Sequence, residues 1–212
     1  LHMISKLDVN HGIAGFLLAN GALNDPDEFE IRKQLLENDK VEAIIVLPRD
    51  MFYTTDISVT LWIVNMNKKA GVVNGRQLRD RTNEILFMDL RKWNENVEEI
   101  VIDKGKKKKK TVLYDEQIAR VKEVYSNWQS VDTNLYSDVP EFCKSASLED
   151  LRSRNYSLAP SKYIEFIDHD LEIDYESEMK RVQSEMVDIM KKEKKSQAML
   201  VEAFRGIGYG ID

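Results

Sequence analysis

The segment VEAIIVLPRDMFYTTDISVTLWIVNMNK, residues 41–68, decides the fold. It holds two apolar, strand-like runs, VEAIIVLP (41–48) and SVTLWIVNM (58–66). The connector between them carries two adjacent aromatic residues, Phe52 and Tyr53. A parallel pair of strands usually needs a crossover of about a dozen residues or more, and this connector is too short for one. We therefore predict that the two strands run antiparallel.

The preceding residues predict a strand and a helix. The run IAGFLLA (13–19) has the composition of a buried strand, and Asn20-Gly21 closes it as a turn. Asp25-Pro26-Asp27 predicts a helix start, because proline favours the first turn and acids face the positive end of the helix dipole. The helix continues through residues 28–39. Strand, helix and strand form a βαβ unit, so the first two strands are predicted to be parallel.

The middle of the chain alternates between loops, strands and helices. Residues 68–83 are predicted to be a loop. The next elements are a strand at 84–90, a hairpin formed by 98–103 and 111–116 with a basic tip at 104–110, and an amphipathic helix at 115–129. After a polar loop to Pro140, Ser147 and Asp150 form a capping-box pattern that starts another helix. The apolar face of the helix at 115–129 consists of Ile118, Val121, Val124, Tyr125 and Trp128.

From Tyr175 onward the chain carries a seven-residue apolar repeat, which lapses at Glu193 and Ser196. This pattern predicts a long helix with a coiled-coil-like apolar stripe that is interrupted in the middle. We expect a partner protein to cover the stripe, because the flanking residues are polar and extended; packing on the chain's own body is the alternative. The predicted contact residues are Met179, Val182, Met186, Ile189, Leu200 and Phe204.

Composition narrows the class of protein. The 212 residues suit one domain with an appendage or two small domains. The net charge of -6 argues against a uniformly basic nucleic-acid coat, although a local basic surface remains compatible with it. The single cysteine, Cys143, excludes an intrachain disulfide, and no apolar run approaches the roughly 20 residues of a membrane span. We therefore expect a cytoplasmic protein. No histidine or cysteine lies in a cluster with metal-ligand spacing, so no metal is predicted.

Three motifs give the chain a resemblance to a known family. They are GIAGFLLANGALN (12–24), IRKQLLENDKVEAIIVLPRDMFYTTDISVTLWIVNMNK (31–68) and YSLAPSKYI (156–164). The chain resembles the modification subunit of type I restriction–modification systems, which are N6-adenine DNA methyltransferases that use S-adenosylmethionine. The resemblance is dense from Ala14 to Lys68 and looser through the C-terminal helix.

The resemblance implies an α/β fold: the C-terminal half of a Rossmann-like methyltransferase sheet with one antiparallel strand, followed by a helical tail. The strands at 13–19, 41–48 and 58–66 would be the fifth, sixth and seventh of that sheet. The family's glycine-rich cofactor loop has no match, since the glycines of GIAGFLLANG do not join a strand to a helix. Its Asn-Pro-Pro-aromatic catalytic motif is also absent, because none of the four prolines is followed by another. We expect both sites to lie upstream and this chain alone to be inactive.

The resemblance also gives the aromatic connector a role. In the family, this connector supplies a ring that stacks on the adenine flipped out of the duplex, because a flipped base needs a replacement π-face. Phe52 holds the matching position, Tyr53 is next to it, and Pro48 shapes the turn. The alternative is that Phe52 fills the core beneath the edge of the sheet.

Two further features have both a functional and a structural interpretation. Asn20 follows a strand at the end where open α/β sheets place ligands, but we expect it to be a turn residue with positive φ. The lysine run either contacts DNA phosphates or forms a solvated hairpin tip. Its members are Lys104, Lys106, Lys107, Lys108, Lys109 and Lys110.

These patterns predict three segments. Residues 1–112 form the C-terminal half of a methyltransferase domain, residues 113–145 a helix and linker, and residues 146–212 a helical assembly tail. The expected partners are double-stranded DNA and the specificity and restriction subunits, and an unpaired sheet edge would also favour self-association. One rival is a non-enzymatic α/β assembly module with a partner-binding coiled coil. The other is a related methyltransferase within a fused restriction enzyme.

Overall fold

The computed structural model describes residues 2–53, 55–101, 107–167 and 174–209. The chain divides into two compact units, residues 1–167 and residues 168–212. The strands are β1 (Ile13–Ala19), β2 (Val41–Val46), β3 (Val59–Asn65), β4 (Gly71–Val73), β5 (Arg76–Leu78), β6 (Glu84–Asp89), β7 (Val97–Val101), β8 (Lys107–Thr111) and β9 (Cys143–Ser147). The α-helices are α1 (Phe29–Glu37), α2 (Asp115–Trp128), α3 (Leu148–Ser153) and α4 (Tyr175–Gly206).

The central sheet has five strands in the order β1-β3-β2-β6-β9. β3 is antiparallel to both β1 and β2, β2 and β6 are parallel, and β9 is antiparallel to β6. The predicted antiparallel pairing of β2 and β3 is therefore confirmed. β1 and β2 run in the same direction, as predicted, but β3 lies between them. The short connector after β2 allows this insertion because it turns the chain straight back into the gap beside β1.

The core lies on both faces of β2, whose six residues are all buried. One hydrophobic cluster joins Val41, Ile44 and Val46 to side chains of α1 and α3, and to the 156–164 segment. The other joins Ala43 and Ile45 to α2. A strand buried on both faces explains the continuous apolar sequence VEAIIV.

The strand at 13–19 has the predicted bounds, but it is not buried. β1 is an edge strand, and Ile13, Leu17 and Leu18 are 52%, 46% and 38% exposed. Its apolar sequence matches a buried strand, yet the described residues provide no neighbour on its outer side. In the helix at 115–129, Ile118 is likewise 51% exposed, so the predicted apolar face extends too far toward its start.

The segment predicted as a loop at 68–83 contains the β4–β5 hairpin. Its turn is Asn74-Gly75, with φ angles of 49° and 76°, which only a pair such as Asn-Gly adopts at low cost. The Asn-Gly pair between Val-Val and Arg-Gln was the available sequence signal for this hairpin.

The β7–β8 hairpin is present, but four of the lysines predicted at its tip lie in its second strand. Lys107 to Lys110 belong to β8 and pair with β7. A strand accommodates four lysines because successive side chains point to opposite sides of the ribbon, where each ammonium group stays solvated or paired. Lys104 and Lys106, which the prediction also assigned to the tip, lie outside the described residues.

The 156–164 segment packs within the first unit. Tyr163 stacks on Phe87 with ring centroids 4.3 Å apart, and the Leu158 N–H donates to the Leu23 carbonyl at 2.8 Å. The capping box at Ser147 and Asp150 is confirmed, and it starts α3 directly after β9. The compact unit therefore ends at residue 167 and contains residues 146–167, which the predicted segments assigned to the tail.

The second unit contains α4, a helix of 32 residues capped by Asp174. Ion pairs three or four residues apart line its polar side, among them Lys180–Glu176 at 2.8 Å and Arg181–Glu185 at 2.5 Å. None of the helices in the described ranges combines the length and apolar character that a membrane crossing requires. The predicted apolar stripe is exposed by 36% to 63% at Met179, Val182, Met186, Ile189, Leu200 and Phe204.

Candidate nucleic-acid interface

The aromatic connector, residues 47–58, is closed at its base by the two strands that it joins. The Leu47 N–H donates to the Val59 carbonyl at 2.9 Å, and the Ser58 hydroxyl donates to the Leu47 carbonyl at 2.6 Å. Pro48 is buried at this base, which fits its predicted role in shaping the turn. The connector thus projects from the carboxyl end of β2, the end at which open α/β sheets place their ligands.

Phe52 and Tyr53 lie at the outer part of this connector. Phe52 is half-buried, and it belongs to neither of the two hydrophobic clusters that the described residues form. Tyr53 is 60% exposed. A ring that served only as a core side chain would be packed into one of these clusters, so the arrangement favours the base-stacking interpretation of this pair.

The lysines of β8 lie beside the same connector. The Lys108 ammonium forms an ion pair with the Asp56 carboxylate and donates to the Tyr53 carbonyl at 3.3 Å. The Lys110 ammonium lies over the Tyr53 ring, 5.1 Å from its centroid. Sequence reasoning treated the aromatic pair and the lysine run as separate features, and the structure brings them together.

Asn20 lies at the carboxyl end of β1 and opens a 3-10 helix, Asn20–Leu23. Its φ is not positive, so the predicted left-handed turn is wrong. Instead, its side-chain carbonyl accepts a hydrogen bond from the buried Thr60 hydroxyl at 2.6 Å, which fixes the end of β1 to the start of β3. Its contacts are those of a residue that shapes the turn after β1.

A buried polar network lies at the opposite end of the sheet, and sequence reasoning missed it. Glu42 accepts from the side chains of Arg81 and Gln129, both at 3.0 Å, and from Asn65 at 2.7 Å. Burial and then the Glu42 carboxylate raise the pKa of Tyr125 above its ordinary value, so this phenol remains a neutral donor. An acid inside the run VEAIIV was the available signal for this network.

The same network borders a cavity of about 620 Å³ beneath the β4–β5 hairpin. Its walls combine the apolar Ile13, Leu61 and Ile63 with the polar His11 and Arg76. The cavity adjoins the exposed edge strand β1, at the end of the sheet away from the aromatic connector.

The described residues do not form a cradle for S-adenosylmethionine. Such a cradle needs a glycine-rich turn between a strand and a helix, where glycine allows positive φ or close approach. The described glycines with positive φ are Gly75, in the β4–β5 turn, and Gly208, after α4. Gly15 lies within β1, and Gly21 lies in a 3-10 helix.

Metal and thiol chemistry have no site in the described ranges either. These residues contain no cluster of histidine, cysteine and carboxylate side chains that could hold a metal ion. Cys143 is buried, and burial raises the pKa of its thiol, so it is a poor nucleophile. His169 lies outside the described residues.

Comparison with known proteins gives a consistent family. The family described as N-6 DNA Methylase matches residues 1–171. The HindI methylase subunit of a type I restriction enzyme from Haemophilus influenzae is 28% identical over 98% of this chain and 42% of its own length. The MjaVIII methylase subunit from Methanocaldococcus jannaschii is 30% identical over 76% of this chain and 24% of its own length. The chain therefore spans less than half the length of these relatives.

A solved structure agrees in fold. The methyltransferase subunit of a type I restriction–modification system from Streptococcus thermophilus matches with a TM-score of 0.56 and 25% identity, over 78% of this chain and 29% of that one. The predicted resemblance and the predicted α/β methyltransferase-type sheet are thereby confirmed.

Proposed function

Because the chain belongs to the N-6 DNA methylase family, we propose that it supplies the target-base and assembly portion of a type I methyltransferase subunit that modifies adenine at N6. In the complete enzyme, S-adenosylmethionine would supply the methyl group, held by residues outside this chain. This chain alone would be inactive. The observation that carries the proposal is the position of the Phe52–Tyr53 pair, at the carboxyl end of β2 and outside both hydrophobic clusters.

The role of the connector follows from the chemistry of a flipped base. An adenine that leaves the duplex loses its stacking neighbours, and an aromatic side chain restores part of that energy. Stacking on one aromatic residue contributes about 1–3 kcal/mol per base. Phe52 is the proposed stacking residue, and the exposed Tyr53 is placed to contact the same base or its neighbour.

The chain is also proposed to contact the DNA backbone through lysines and another subunit through α4. Lysines on the outer face of β8, including the 68% exposed side chain of Lys107, are positioned for DNA phosphates, a contact that weakens as salt concentration rises. Lys109 shares that face, and Lys106, which lies outside the described residues, is proposed to contribute to the same DNA contact. The apolar stripe of α4 is the proposed surface for the specificity subunit, and the restriction subunit would join the same complex.

The test is a complementation assay for methyl transfer to adenine in duplex DNA. The chain is mixed with the separately produced upstream part of the subunit and with the specificity subunit. We expect methylation only when this chain is present, and a loss of roughly tenfold to a hundredfold with Phe52→Ala, equivalent to the stacking energy. Phe166→Ala, which removes a 43% exposed aromatic ring elsewhere, is the matched control.

The outcomes separate the rivals. Full activity of Phe52→Ala would keep the enzyme and remove the stacking role. Absence of methylation with correctly folded parts would instead favour an α/β assembly module, for which the exposed stripe on the 32-residue α4 is the supporting feature.

A further inference from the structure

The lysine-rich strand β8 divides its side chains between two different surroundings. Successive side chains of a strand point to opposite faces, so Lys108 and Lys110 share one face and Lys107 and Lys109 share the other. The Lys107 side chain is 68% exposed and pairs with Glu99 at 3.0 Å. The Lys108 side chain is only 19% exposed. The run of lysines is therefore not one uniform basic surface.

The face of β8 that carries Lys108 and Lys110, here called the inner face, contacts the aromatic connector. The first contacts are at Tyr53 and at Asp56, which follows the aromatic pair. The Lys108 ammonium forms an ion pair with Asp56 and also donates to the Tyr53 carbonyl at 3.3 Å. One side chain thus joins two points of the connector that flank residue 54. Lys107 is also paired, but its side chain is 68% exposed and can exchange its partner, whereas the Lys108 side chain is 19% exposed and its ammonium is held by two groups of the connector. Lys108 is therefore poorly suited to serve as a free charge for a DNA phosphate.

β8 also contacts the connector at Asp50, before the aromatic pair, and at the Tyr53 ring. The Thr111 N–H donates to the Asp50 carbonyl at 2.9 Å, and Asp50 has a φ of 62°, a conformation that costs energy for a residue other than glycine. The Lys110 ammonium lies 5.1 Å from the centroid of the Tyr53 ring, which limits the orientations open to that ring.

We propose that the β7–β8 hairpin is a positioning element for the target base, in which Lys108 and Lys110 fix the aromatic connector instead of binding DNA phosphates. The inference rests on the proposed function and adds a division of labour within one strand: the inner lysines order the stacking loop, and the outer lysines face the DNA backbone. A loop that must present a ring to a flipped base gains from such support, because a misplacement of about 1 Å can cost on the order of a hundredfold in rate.

Asp56 discriminates between positioning and simple charge attraction. If the lysines of the inner face act only by attracting DNA, Asp56→Asn removes an opposing negative charge and strengthens DNA binding. If they position the connector, the same substitution releases Lys108 and lowers the rate of methylation. For this one conservative substitution, at a side chain that is 60% exposed, charge attraction therefore predicts tighter DNA binding at an undiminished kcat, whereas positioning predicts a lower kcat.

The experiment uses the complete methyltransferase that contains this chain, assembled with its specificity subunit. Asp56→Asn, Lys108→Met, Lys108→Arg and Lys109→Met are compared by kcat, by KM for DNA, by the salt dependence of DNA binding, and by the fluorescence of 2-aminopurine at the target position. That fluorescence rises when the base leaves the stack and is quenched when the base stacks on an aromatic ring. Phe52→Ala is measured in parallel, and circular dichroism checks that each variant is folded.

We expect Asp56→Asn and Lys108→Met to lower kcat by about tenfold or more and to weaken quenching of the flipped base, with the salt dependence of binding unchanged. Lys108→Arg should restore most of the rate. Lys109→Met should instead raise KM and reduce the salt slope by about one counterion, with quenching intact. Tighter DNA binding and an undiminished kcat for Asp56→Asn would overturn the inference. An enzyme that methylates no DNA in its wild-type form would refute the proposed function itself, whereas a defect confined to Phe52→Ala would refute only the positioning role.

Discussion

At the scale of single residues, the buried carboxylate of Glu42 is the centre of a polar network at the start of β2. Its side chain is fully buried, and its partner Arg81 is 1% exposed. Arg81 also donates to the Arg79 carbonyl at 2.6 Å, and Gln129 and Asn65 satisfy the remaining carboxylate positions. Every charge in this network is therefore compensated, which is the condition under which a buried ion pair is tolerated.

Removing the carboxylate should be costly. Glu42→Gln leaves the Arg81 guanidinium buried without its counterion, so we expect the free energy of unfolding to fall by about 3–5 kcal/mol. Urea denaturation followed by circular dichroism measures this change. Glu99→Gln breaks the exposed pair with Lys107 and should change the stability by less than about 1 kcal/mol. Equal effects of the two substitutions would contradict the buried-pair account.

Glu37 gives a residue-scale prediction for acid stability. Hydrogen bonds from Arg152 and then Tyr156 lower the pKa of this carboxyl from 4.5 to about 2, and they link α1 to α3 and to the segment that follows α3. A carboxyl with a lowered pKa in the folded state stabilises the protein fully above its unfolded value and loses that contribution as pH falls through the folded value. The stability difference between wild type and Glu37→Gln should therefore be constant near neutral pH and shrink between pH 4.5 and 2. Denaturation curves measured across that range check this, and a difference independent of pH would contradict it.

Residue roles were only partly predictable from the sequence. The aromatic pair could be identified because Phe52 and Tyr53 interrupt a recognisable strand–connector–strand pattern. Glu42 was visible as an acid in an apolar run, but its partners come from three distant segments. The Lys108–Asp56 contact had no local signal at all, because it depends on how the β7–β8 hairpin folds back over the connector.

At the scale of elements, strands with apolar periodicity were predictable and strands held mainly by pairing were not. β2 and β6 are almost entirely buried, β3 alternates between buried and half-buried residues, and the apolar sequences of all three predict strands. β9 has the sequence CKSAS, without an apolar run, and it exists because its backbone pairs with β6 from Met88–Cys143 to Glu84–Ser147. The burial of β1 was overestimated because apolar composition does not reveal whether a neighbouring strand is present.

The stripe of α4 yields an element-scale prediction. Met186 and Ile189 are 62% and 63% exposed and lie on the same side of the helix. Replacing both by Gln should leave the helix content unchanged but weaken association with the specificity subunit by at least about tenfold, because the apolar contact area is lost. Ser184→Gln with Lys191→Gln, on the opposite side, is the control. Binding measured by calorimetry that is equally strong for both pairs would place the interface elsewhere.

At the scale of the whole molecule, the sheet has an exposed apolar edge. β1 presents Ile13, Leu17 and Leu18, and no described strand pairs with its outer side, so this edge favours pairing with another strand. We expect the isolated chain to self-associate as its concentration rises. Leu17→Lys should reduce the association if the edge mediates it, whereas the α4 variants should reduce it if the apolar stripe does. A strictly monomeric mass in light scattering at high concentration would contradict the prediction.

The most direct test of the central claim is to locate the protein residue that touches the target base. Duplex DNA carrying 5-iodouracil at the target position is bound to the complete methyltransferase and irradiated, and mass spectrometry identifies the attached peptide. The account predicts attachment within the connector at residues 47–58, at Phe52 or Tyr53, and loss of that product with Phe52→Ala and Tyr53→Ala combined. Attachment exclusively outside the connector, with the double variant crosslinking as well as wild type, would contradict it.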